Sequence, residues 1–474
     1  METTIHHFQS LPRYGIMVCI LLIVAFFIIG SIASAEEWQR AEIVHCEEWV
    51  SLRQGPDPKT NRLAKVPLGS IVEAMPYNDS FAYCRYNDKT GYILNEYLKY
   101  EDTEVSAEES ASEADPTDNT WVLPNVSEYL SMRERPSENA SVIKKIKPGE
   151  RMQVLGWDGL FCRVRLESSG VSGWVHSGYL KAEALPEKGW PYDYAALLDD
   201  ISLIPESPSL CVEILETTED DRNIFVIRFG EQNASHHILV QANMHAREIM
   251  TGKLAMDLLL QLISDHPDGL DDICFHILPM VNPDGVDIAV NGADAIHDQK
   301  LQKEIVSILK NERIPTGDWK ANARGVDLNR NFDAGWEKLK VRTPGSQRYR
   351  GESPLSERES KALASYVEKY PFTATISLHS KGSLIYWLGA QDDLYITNKG
   401  LARCVEKSTG YHPVDKESDV EKGGFKDWAL EKKGIPSLTI EIGARGSTGT
   451  LEEYSVILIR CKDLLADLGN WVVN

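Results

Sequence analysis

Hydrophobic and polar positions follow two different periods along the chain, and the change falls near residue 188. From there to Asn474, short apolar runs typical of buried strands alternate with segments of helical spacing. The predicted strands are Ile224–Arg228, His237–Gln241, Phe275–Val281, Thr373–Leu378 and Ser437–Glu441, and the predicted helices include Thr251–Ile263 and Glu357–Tyr370. This alternation predicts one α/β domain at residues 188–474, with a central mixed sheet flanked by helices.

Before residue 188 the pattern has a period of two and occurs twice. Short alternating segments such as Arg151–Leu155 and Phe161–Arg165 are separated by Gly and Pro, which is typical of a small β-barrel. Residues 42–100 and 122–182 carry the same ordered motifs at offsets of 78 to 82 residues. The sequence therefore predicts two small all-β barrels ahead of the α/β domain.

The motifs of both repeats resemble those of bacterial SH3-type domains. Arg53 and Pro56 in the first repeat correspond to Arg133 and Pro136 in the second, and each repeat ends in Tyr-Leu-Lys. The resemblance implies SH3-like barrels, which commonly bind cell-wall peptide or glycan. The alternative is that the repeats are spacers that only position the rest of the chain, because a fold does not fix a function.

The N-terminal residues 1–35 have the layout of a targeting segment. Arg13 precedes an apolar run from Gly15 to Ile32, and Ala33–Ala35 forms a small-x-small cleavage signal. The run is also long enough to remain as a membrane anchor. We therefore expect either a cleaved signal peptide or a possible membrane anchor, and both predict an extracytoplasmic protein.

Composition narrows the class of partner. The net charge of −21 argues against binding to nucleic acid, which requires a basic surface. Residues 101–120 are rich in acidic and small residues and are predicted to form a flexible linker. Apart from Cys19 in the targeting segment, the cysteines are scattered without CxxC spacing. They are predicted to be small buried hydrophobic residues, and none is assigned to a metal or to catalysis.

Candidate metal ligands follow the predicted strands. His245 and Glu248 come directly after the strand that ends at Gln241, and an HxxE motif alone has little specificity. His379 and Glu441 lie at the ends of two further strands, and the carboxyl ends of strands are where α/β sheets usually carry their sites. Two His and one carboxylate leave a fourth coordination position open, as catalytic zinc requires.

Several motifs in order resemble the zinc metallocarboxypeptidases of the carboxypeptidase A type. The similarity spans roughly residues 192–474. Ordered motifs at family-like spacings make it highly specific. The motifs are His245–Glu248, Asn282–Gly285, Gly325–Asn331, Ser356-Glu357, Leu378–Ser380 and Thr439–Glu441.

The resemblance implies one zinc ion per catalytic domain and a role for each residue near it. His245, Glu248 and His379 would bind the metal. Asp327 would accept a hydrogen bond from a metal-binding imidazole and so fix its tautomer. Glu441 would be the general base and acid, taking a proton from the attacking water and passing it to the leaving amine.

The resemblance also assigns substrate contacts. Asn329 and Arg330 would hold a substrate carboxylate, for which a guanidinium is well suited, although Arg330 could instead form an ordinary surface ion pair. Lys426 stands at the base of the specificity pocket and favours an acidic group on the leaving residue, unless its amine simply extends to solvent. Asp419 occupies the position of the family's mobile tyrosine, so that role is in doubt here.

Two assignments stay open. The cation that would polarise the scissile carbonyl is Lys320 by its distance from Gly325 or Arg324 by its charge type. Asn282–Gly285 is predicted to be a turn rather than a reactive element, because Asn-Pro and Asp-Gly are turn dipeptides.

Together these features predict an exported zinc peptidase whose partner is peptidoglycan or another peptide substrate in the cell wall. The expected bond joins γ-D-glutamate to a diamino acid such as meso-diaminopimelate, since Lys426 could meet the extra carboxylate. One alternative is an extracellular carboxypeptidase that releases C-terminal residues. The other is a catalytically inactive wall-binding protein, which the complete set of ligands and base disfavours.

Overall fold

A computed structural model describes residues 39–44, 48–55, 60–76, 81–87, 89–100, 112–113, 120–185, 189–345, 347–415, 422–444 and 449–474. The predictions for the segment 1–35, for most of the linker and for Asp419 lie outside the described residues. The chain divides into two compact units, residues 1–106 and 107–474. Within the described ranges, no helix is long and apolar enough to cross a membrane.

The first unit is an all-β sheet of seven strands. Alternate residues of its strands are buried, as in Trp49–Arg53, where Val50 and Leu52 point into the core. The strands are β1 Gln39–Ile43, β2 Trp49–Arg53, β3 Arg62–Pro67, β4 Ile71–Pro76, β5 Phe81–Tyr86, β6 Lys89–Leu94 and β7 Leu98–Tyr100, in the spatial order β3-β2-β6-β5-β4-β1-β7.

The second unit begins with a β region whose strand order is the same. Its strands are β8 Ser112–Glu113, β9 Trp121–Pro124, β10 Leu130–Arg133, β11 Val142–Ile146, β12 Met152–Asp158, β13 Phe161–Leu166, β14 Ser172–His176 and β15 Leu180–Ala182. The path β11-β10-β14-β13-β12-β9-β15 repeats that of the first unit strand for strand, with β8 added beside β12. The two sequence repeats therefore have one topology.

The rest of the second unit is an α/β domain with the predicted mixed sheet. Its strands are β16 Leu210–Thr217, β17 Asn223–Gly230, β18 His236–Gln241, β19 Ile273–Leu278, β20 Phe372–Ser380, β21 Leu384–Tyr386, β22 His412–Pro413 and β23 Ser437–Ile442. They lie in the order β16-β17-β19-β18-β20-β23-β21-β22, and the central β19-β18-β20-β23 are mutually parallel.

Helices cover both faces of this sheet. They are α1 Tyr194–Ser202, α2 Ile249–Asp265, α3 Pro283–Asn291, α4 Gln299–Glu312, α5 Arg358–Val367, α6 Asp392–Thr409, α7 Phe425–Trp428 (continued by a π-helical turn, Ala429–Lys433), α8 Leu451–Cys461 and α9 Leu464–Val473. Because helices bury both faces, the central strands are mostly apolar, as in β19, all of whose residues are buried.

The prediction of a simple turn at Asn282–Gly285 was wrong. The Asn282 side chain accepts a hydrogen bond from the Gly285 backbone N–H at 3.0 Å and caps α3, with Pro283 at the first helical position. A turn and a capped first helical turn share this local bond pattern, so the dipeptides alone do not separate them.

Candidate metal centre and active site

The first two candidate ligands lie in the loop between β18 and α2. The Asn243 side chain donates to the Glu248 carbonyl at 2.9 Å, and the Thr251 hydroxyl accepts from the Asn243 backbone N–H at 3.0 Å. Asn243 has a φ of +47°, which Asn tolerates better than most residues. These bonds fix the path of the loop and turn His245 and Glu248 toward the carboxyl end of the sheet.

His379 and Glu441 come from two neighbouring strands. They are register partners on the parallel strands β20 and β23, near the carboxyl end of each. His379 is 1% exposed. Glu441 is half-buried. Against the effect of burial, Glu248 and, more weakly, Glu441 raise the pKa of His379. The sheet therefore brings a candidate base beside a candidate ligand.

Three side chains form what we call the metal cluster: His245, Glu248 and His379. The carboxylate lies 2.8 Å from His245 Nδ1 through Oε1 and 2.9 Å from His379 Nδ1 through Oε2, and the two Nδ1 atoms are 3.0 Å apart. All three side chains are buried, and their donor atoms lie within 4.8 Å of one another. Two imidazoles and a carboxylate converging in this way fit the donor set that zinc prefers.

The charge states in the cluster also suit a cation. Burial lowers the pKa of His245, which favours the neutral, metal-binding imidazole. Burial would raise the pKa of Glu248, but His245 and His379 hold it well below its ordinary value. The cluster therefore presents a neutral imidazole at His245 and an anionic carboxylate at Glu248.

Asp327 binds the far side of His245. Its Oδ1 lies 3.1 Å from His245 Nε2, and its Oδ2 accepts from Lys320 Nζ at 2.7 Å and from the Arg348 backbone N–H at 3.2 Å. Against the effect of burial, Lys320 and His245 hold the pKa of Asp327 well below its ordinary value. An anionic Asp327 keeps the proton of His245 on Nε2 and leaves Nδ1 free for a metal.

The two candidate cations lie in different surroundings. Lys320 is joined to Asp327 and is close enough to affect the pKa of both His245 and His379. Arg324 has 46% of its side chain exposed and faces Glu219 at 3.8 Å and Glu357 at 3.7 Å. The structure therefore places Lys320, and not Arg324, beside the metal cluster.

Asn329 and Arg330 lie next to His379. Asn329 Nδ2 is 3.3 Å from His379 Nε2, and its Oδ1 accepts from the Phe425 backbone N–H at 3.0 Å. Arg330 is 8% exposed and donates from Nη1 to the Asn329 carbonyl at 2.7 Å. Its Nε is buried and has no hydrogen-bond partner among the described residues. Arg330 is thus a buried cation with an unused donor rather than part of a surface ion pair.

Lys426 is buried and does not extend to solvent. It is 6% exposed, and its Nζ lies 2.6 Å from the Leu388 carbonyl and 2.9 Å from Asp427 Oδ1. A substrate carboxylate at Lys426 would therefore meet an ammonium group that already shares its charge with Asp427. Lys426 was predicted from the sequence, and its partner Asp427 was not.

Two further cations near the metal cluster were also missed. Burial lowers the pKa of Lys381, which lies two residues after His379. Arg247 and Glu248 are close enough to Lys381 to influence the same pKa. Arg247 donates to the Asp318 carbonyl at 3.3 Å. Their positions in the sequence could have indicated them, because Arg247 directly precedes Glu248 and Lys381 follows His379 by two residues.

Comparison with known proteins places this site in a family. The zinc carboxypeptidase model (Peptidase_M14) matches residues 202–466, and the bacterial SH3 domain model matches residues 128–181, within the second repeat.

Two curated relatives and one solved structure illustrate the range of similarity. The chain is 29% identical over 283 residues to gamma-D-glutamyl-L-diamino acid endopeptidase 1 of Lysinibacillus sphaericus, covering 56% of this chain and 69% of that protein. It is 25% identical over 317 residues to carboxypeptidase B of Rattus norvegicus, covering 62% and 70%. The crystal structure of carboxypeptidase A from Helicoverpa armigera aligns with a TM-score of 0.47 at 20% identity, covering 59% of this chain and 73% of that one. Because the family model covers more than half of the chain, the protein belongs to the zinc carboxypeptidase family and is a zinc metallopeptidase.

Proposed function

We propose that this protein is an exported zinc peptidase that cleaves the bond between γ-D-glutamate and a diamino acid, such as meso-diaminopimelate, in cell-wall stem peptides. The observation that carries the proposal is the joining of a complete peptidase site to a bacterial SH3 domain in one chain. The similarity to a relative named for γ-D-glutamyl-diamino acid cleavage supports the same substrate. The export predicted from residues 1–35 is part of the proposal.

The chemistry follows from the positions of the side chains. A zinc ion held by the metal cluster would polarise the scissile carbonyl and make a water easier to deprotonate. Glu441 takes the proton of the attacking water and delivers it to the leaving amine. Lys320, held in place by Asp327, adds positive charge where the carbonyl oxygen becomes negative.

The leaving residue is recognised by two pairs of side chains. Arg330, with its unused buried Nε, and Asn329 hold a carboxylate of the leaving residue. The buried pair of Lys426 and Asp427 presents a cation and an anion side by side. The far end of diaminopimelate carries an ammonium and a carboxylate on one carbon, so it is complementary to that pair, whereas an ordinary aliphatic side chain is not.

A defined stem peptide tests this function. The purified protein is incubated with L-alanyl-γ-D-glutamyl-meso-diaminopimelate, and the products are identified by mass spectrometry. We expect release of diaminopimelate by the wild type and none by Glu441→Gln. Release of C-terminal residues from ordinary L-peptides without cleavage of the γ-D-glutamyl bond would favour the extracellular carboxypeptidase instead. Binding of wall fragments without zinc-dependent hydrolysis would favour the inactive binding protein.

A further inference from the structure

The second β region, residues 120–185, is joined to the α/β domain by a buried contact. Strand β15 packs against helix α8, where the Ala182 backbone N–H donates to the Ser455 hydroxyl at 2.9 Å. Val456 of the same helix is 4% exposed and belongs to the hydrophobic core of the β region. Because Val456 belongs to the α/β domain, the core of the β region is complete only when the two domains are in contact. The contact is therefore part of the fold.

A buried arginine strengthens the same contact. Arg460 of α8 is 4% exposed, and its guanidinium lies 3.8 Å from the Tyr411 ring centroid and 5.3 Å from that of Trp157 in the β region. Nearby, the Gly159 backbone N–H donates to the Gly410 carbonyl at 2.8 Å. Arg460 also donates from Nε to the Thr409 carbonyl, so its guanidinium contacts both the α/β domain and Trp157 of the β region.

A third contact reaches the margin of the active site. The short helical turn Ser177–Tyr179 of the β region meets Gly443 and Ala444, which follow Glu441 by two and three residues. The approach is close, because a Cβ added at Gly178 would lie 2.9 Å from the Ala444 Cβ. The β region therefore borders the loop that leaves the candidate base.

The side of the active site at Gly443 and Ala444 is different from the side where Asn329 and Arg330 would hold the leaving residue. The Ala444 backbone N–H donates to Glu453 Oε1 at 2.8 Å, and the Gly443 carbonyl accepts from the Gly382 backbone N–H at 3.3 Å and from the Ser383 hydroxyl at 2.9 Å. Asn329 and Arg330 approach the metal cluster through different residues, next to His379 and Phe425. If Asn329 and Arg330 hold the leaving residue, the side of the site formed by Gly382, Gly443 and Ala444 is left for the acyl part of the substrate.

The turn that contacts Ala444 also carries an exposed aromatic side chain. Tyr179 is 53% exposed, and its ring lies 5.2 Å from that of His176, which in turn lies 5.5 Å from that of Phe161. His176 Nδ1 accepts from the Gly178 backbone N–H at 3.1 Å, which fixes the imidazole. An exposed aromatic ring packed beside a fixed imidazole is suited to contact a sugar or peptide group at low entropic cost.

We infer that the second SH3-type domain is a fixed wall of the substrate cleft, and that Tyr179 and His176 contact the part of the substrate on the acyl side of the scissile bond. Resting on the proposed function, this part is the muramoyl-L-alanyl portion that precedes γ-D-glutamate. The domain then contributes to selecting the substrate as well as to holding the enzyme near the wall.

Two substrates that differ only on the acyl side test this inference. One is N-acetylmuramoyl-L-alanyl-γ-D-glutamyl-diaminopimelate, and the other is γ-D-glutamyl-diaminopimelate. We expect Tyr179→Ala to lower kcat/KM roughly tenfold on the longer substrate, the usual size of the loss of one aromatic anchor, and less than about twofold on the shorter one. The matched control is Tyr129→Ala, which removes a tyrosine 42% exposed on the same domain and stacked on Lys145.

The possible results separate this inference from the proposed function. An equal effect of Tyr179→Ala on both substrates, or no effect on either, would overturn the inference. If the wild type does not cleave the γ-D-glutamyl bond at all, the proposed function fails. The same pair of variants is then compared on N-acylated and unacylated forms of the peptide that the wild type does cleave. A selective loss on the acylated form would still support the inference, and the absence of that selectivity would overturn it.

Discussion

Two buried histidine clusters lie at opposite ends of strand β18. The metal cluster follows the carboxyl end of the strand, and a second cluster of His237, Cys274 and His276 lies near its amino end. Both clusters bring three possible donor atoms within 4.8 Å of one another. By proximity alone, both are candidate metal sites.

Their surroundings differ. In the second cluster, His237 Nδ1 lies 2.8 Å from His276 Nε2, and His276 Nδ1 lies 2.7 Å from the Tyr366 hydroxyl, so the imidazoles satisfy one another and a phenol. Burial and the neighbouring His237 and Arg228 lower the pKa of His276 to about 3. The metal cluster instead contains the carboxylate of Glu248 and is backed by that of Asp327. The comparison indicates that an anionic partner, more than the nearness of histidines, distinguishes a cation site here.

The largest difference should appear when each cluster loses a member. We expect Glu248→Ala to lose bound zinc and to lower kcat on the order of a thousandfold or more, because the metal supplies several kcal/mol of transition-state stabilisation. His276→Gln should keep one zinc per chain and near-normal activity. Metal content by mass spectrometry, together with steady-state rates, checks both. Loss of zinc from His276→Gln would show that the second cluster also binds metal.

Separating the metal from the base sharpens the role of the first cluster. Glu441→Gln should retain zinc and lower kcat by roughly a hundredfold to ten-thousandfold, the usual contribution of a general base. Glu304→Gln, on the exposed face of α4, is the matched control and should leave kcat unchanged. Loss of zinc from Glu441→Gln would mean that Glu441 acts as a ligand rather than a base.

The two candidate cations can be compared in the same way. Lys320→Met should lower kcat/KM about a hundredfold, as does removal of one group that stabilises an oxyanion. Arg324→Met should change it less than about threefold, because Arg324 faces Glu219 and Glu357 instead. The reverse ranking of these two variants would contradict the assignment of Lys320.

The second cluster should also affect stability at low pH. The folded pKa of His276, about 3, lies below the ordinary value of 6.5, so between these values the unfolded chain binds a proton that the folded chain does not. Stability should therefore fall as pH drops below 6.5, by up to about 1.4 kcal/mol per pH unit from this group. Urea unfolding of metal-free protein at pH 4 to 6 should show a shallower pH dependence for His276→Gln than for the wild type. Equal slopes would contradict the buried, neutral imidazole.

The sequence predicted the sheet and the grouping of the ligands because their signals are local. A mostly apolar run such as β19 indicates a buried strand, and residues that follow parallel strands meet at one edge of a sheet. His245, His379 and Glu441 could therefore be grouped from the sequence alone.

Other features depend on contacts between distant segments or on side-chain rotamers, and neither can be predicted from local sequence patterns. The direction of Arg324 follows from Asn322, whose side chain accepts from the backbone N–H of Arg324 and donates to Glu357, 35 residues away. The pairing of Lys426 with Asp427 depends on side-chain rotamers. The contact between Gly178 and Ala444 joins two domains and has no local pattern.

The closeness of Gly178 to Ala444 also bears on how a duplicated module diverges. In the first repeat the turn Asn95–Tyr97 occupies the place of Ser177–Tyr179, and the residue equivalent to Gly178 is Glu96. A methyl group at position 178 would already be too close to the Ala444 side chain. A glutamate at this position therefore could not pack against Ala444 in the same way. One hydrogen in place of a side chain thus makes the two copies non-interchangeable, and a chimera with the repeats exchanged would lose the close contact with Ala444.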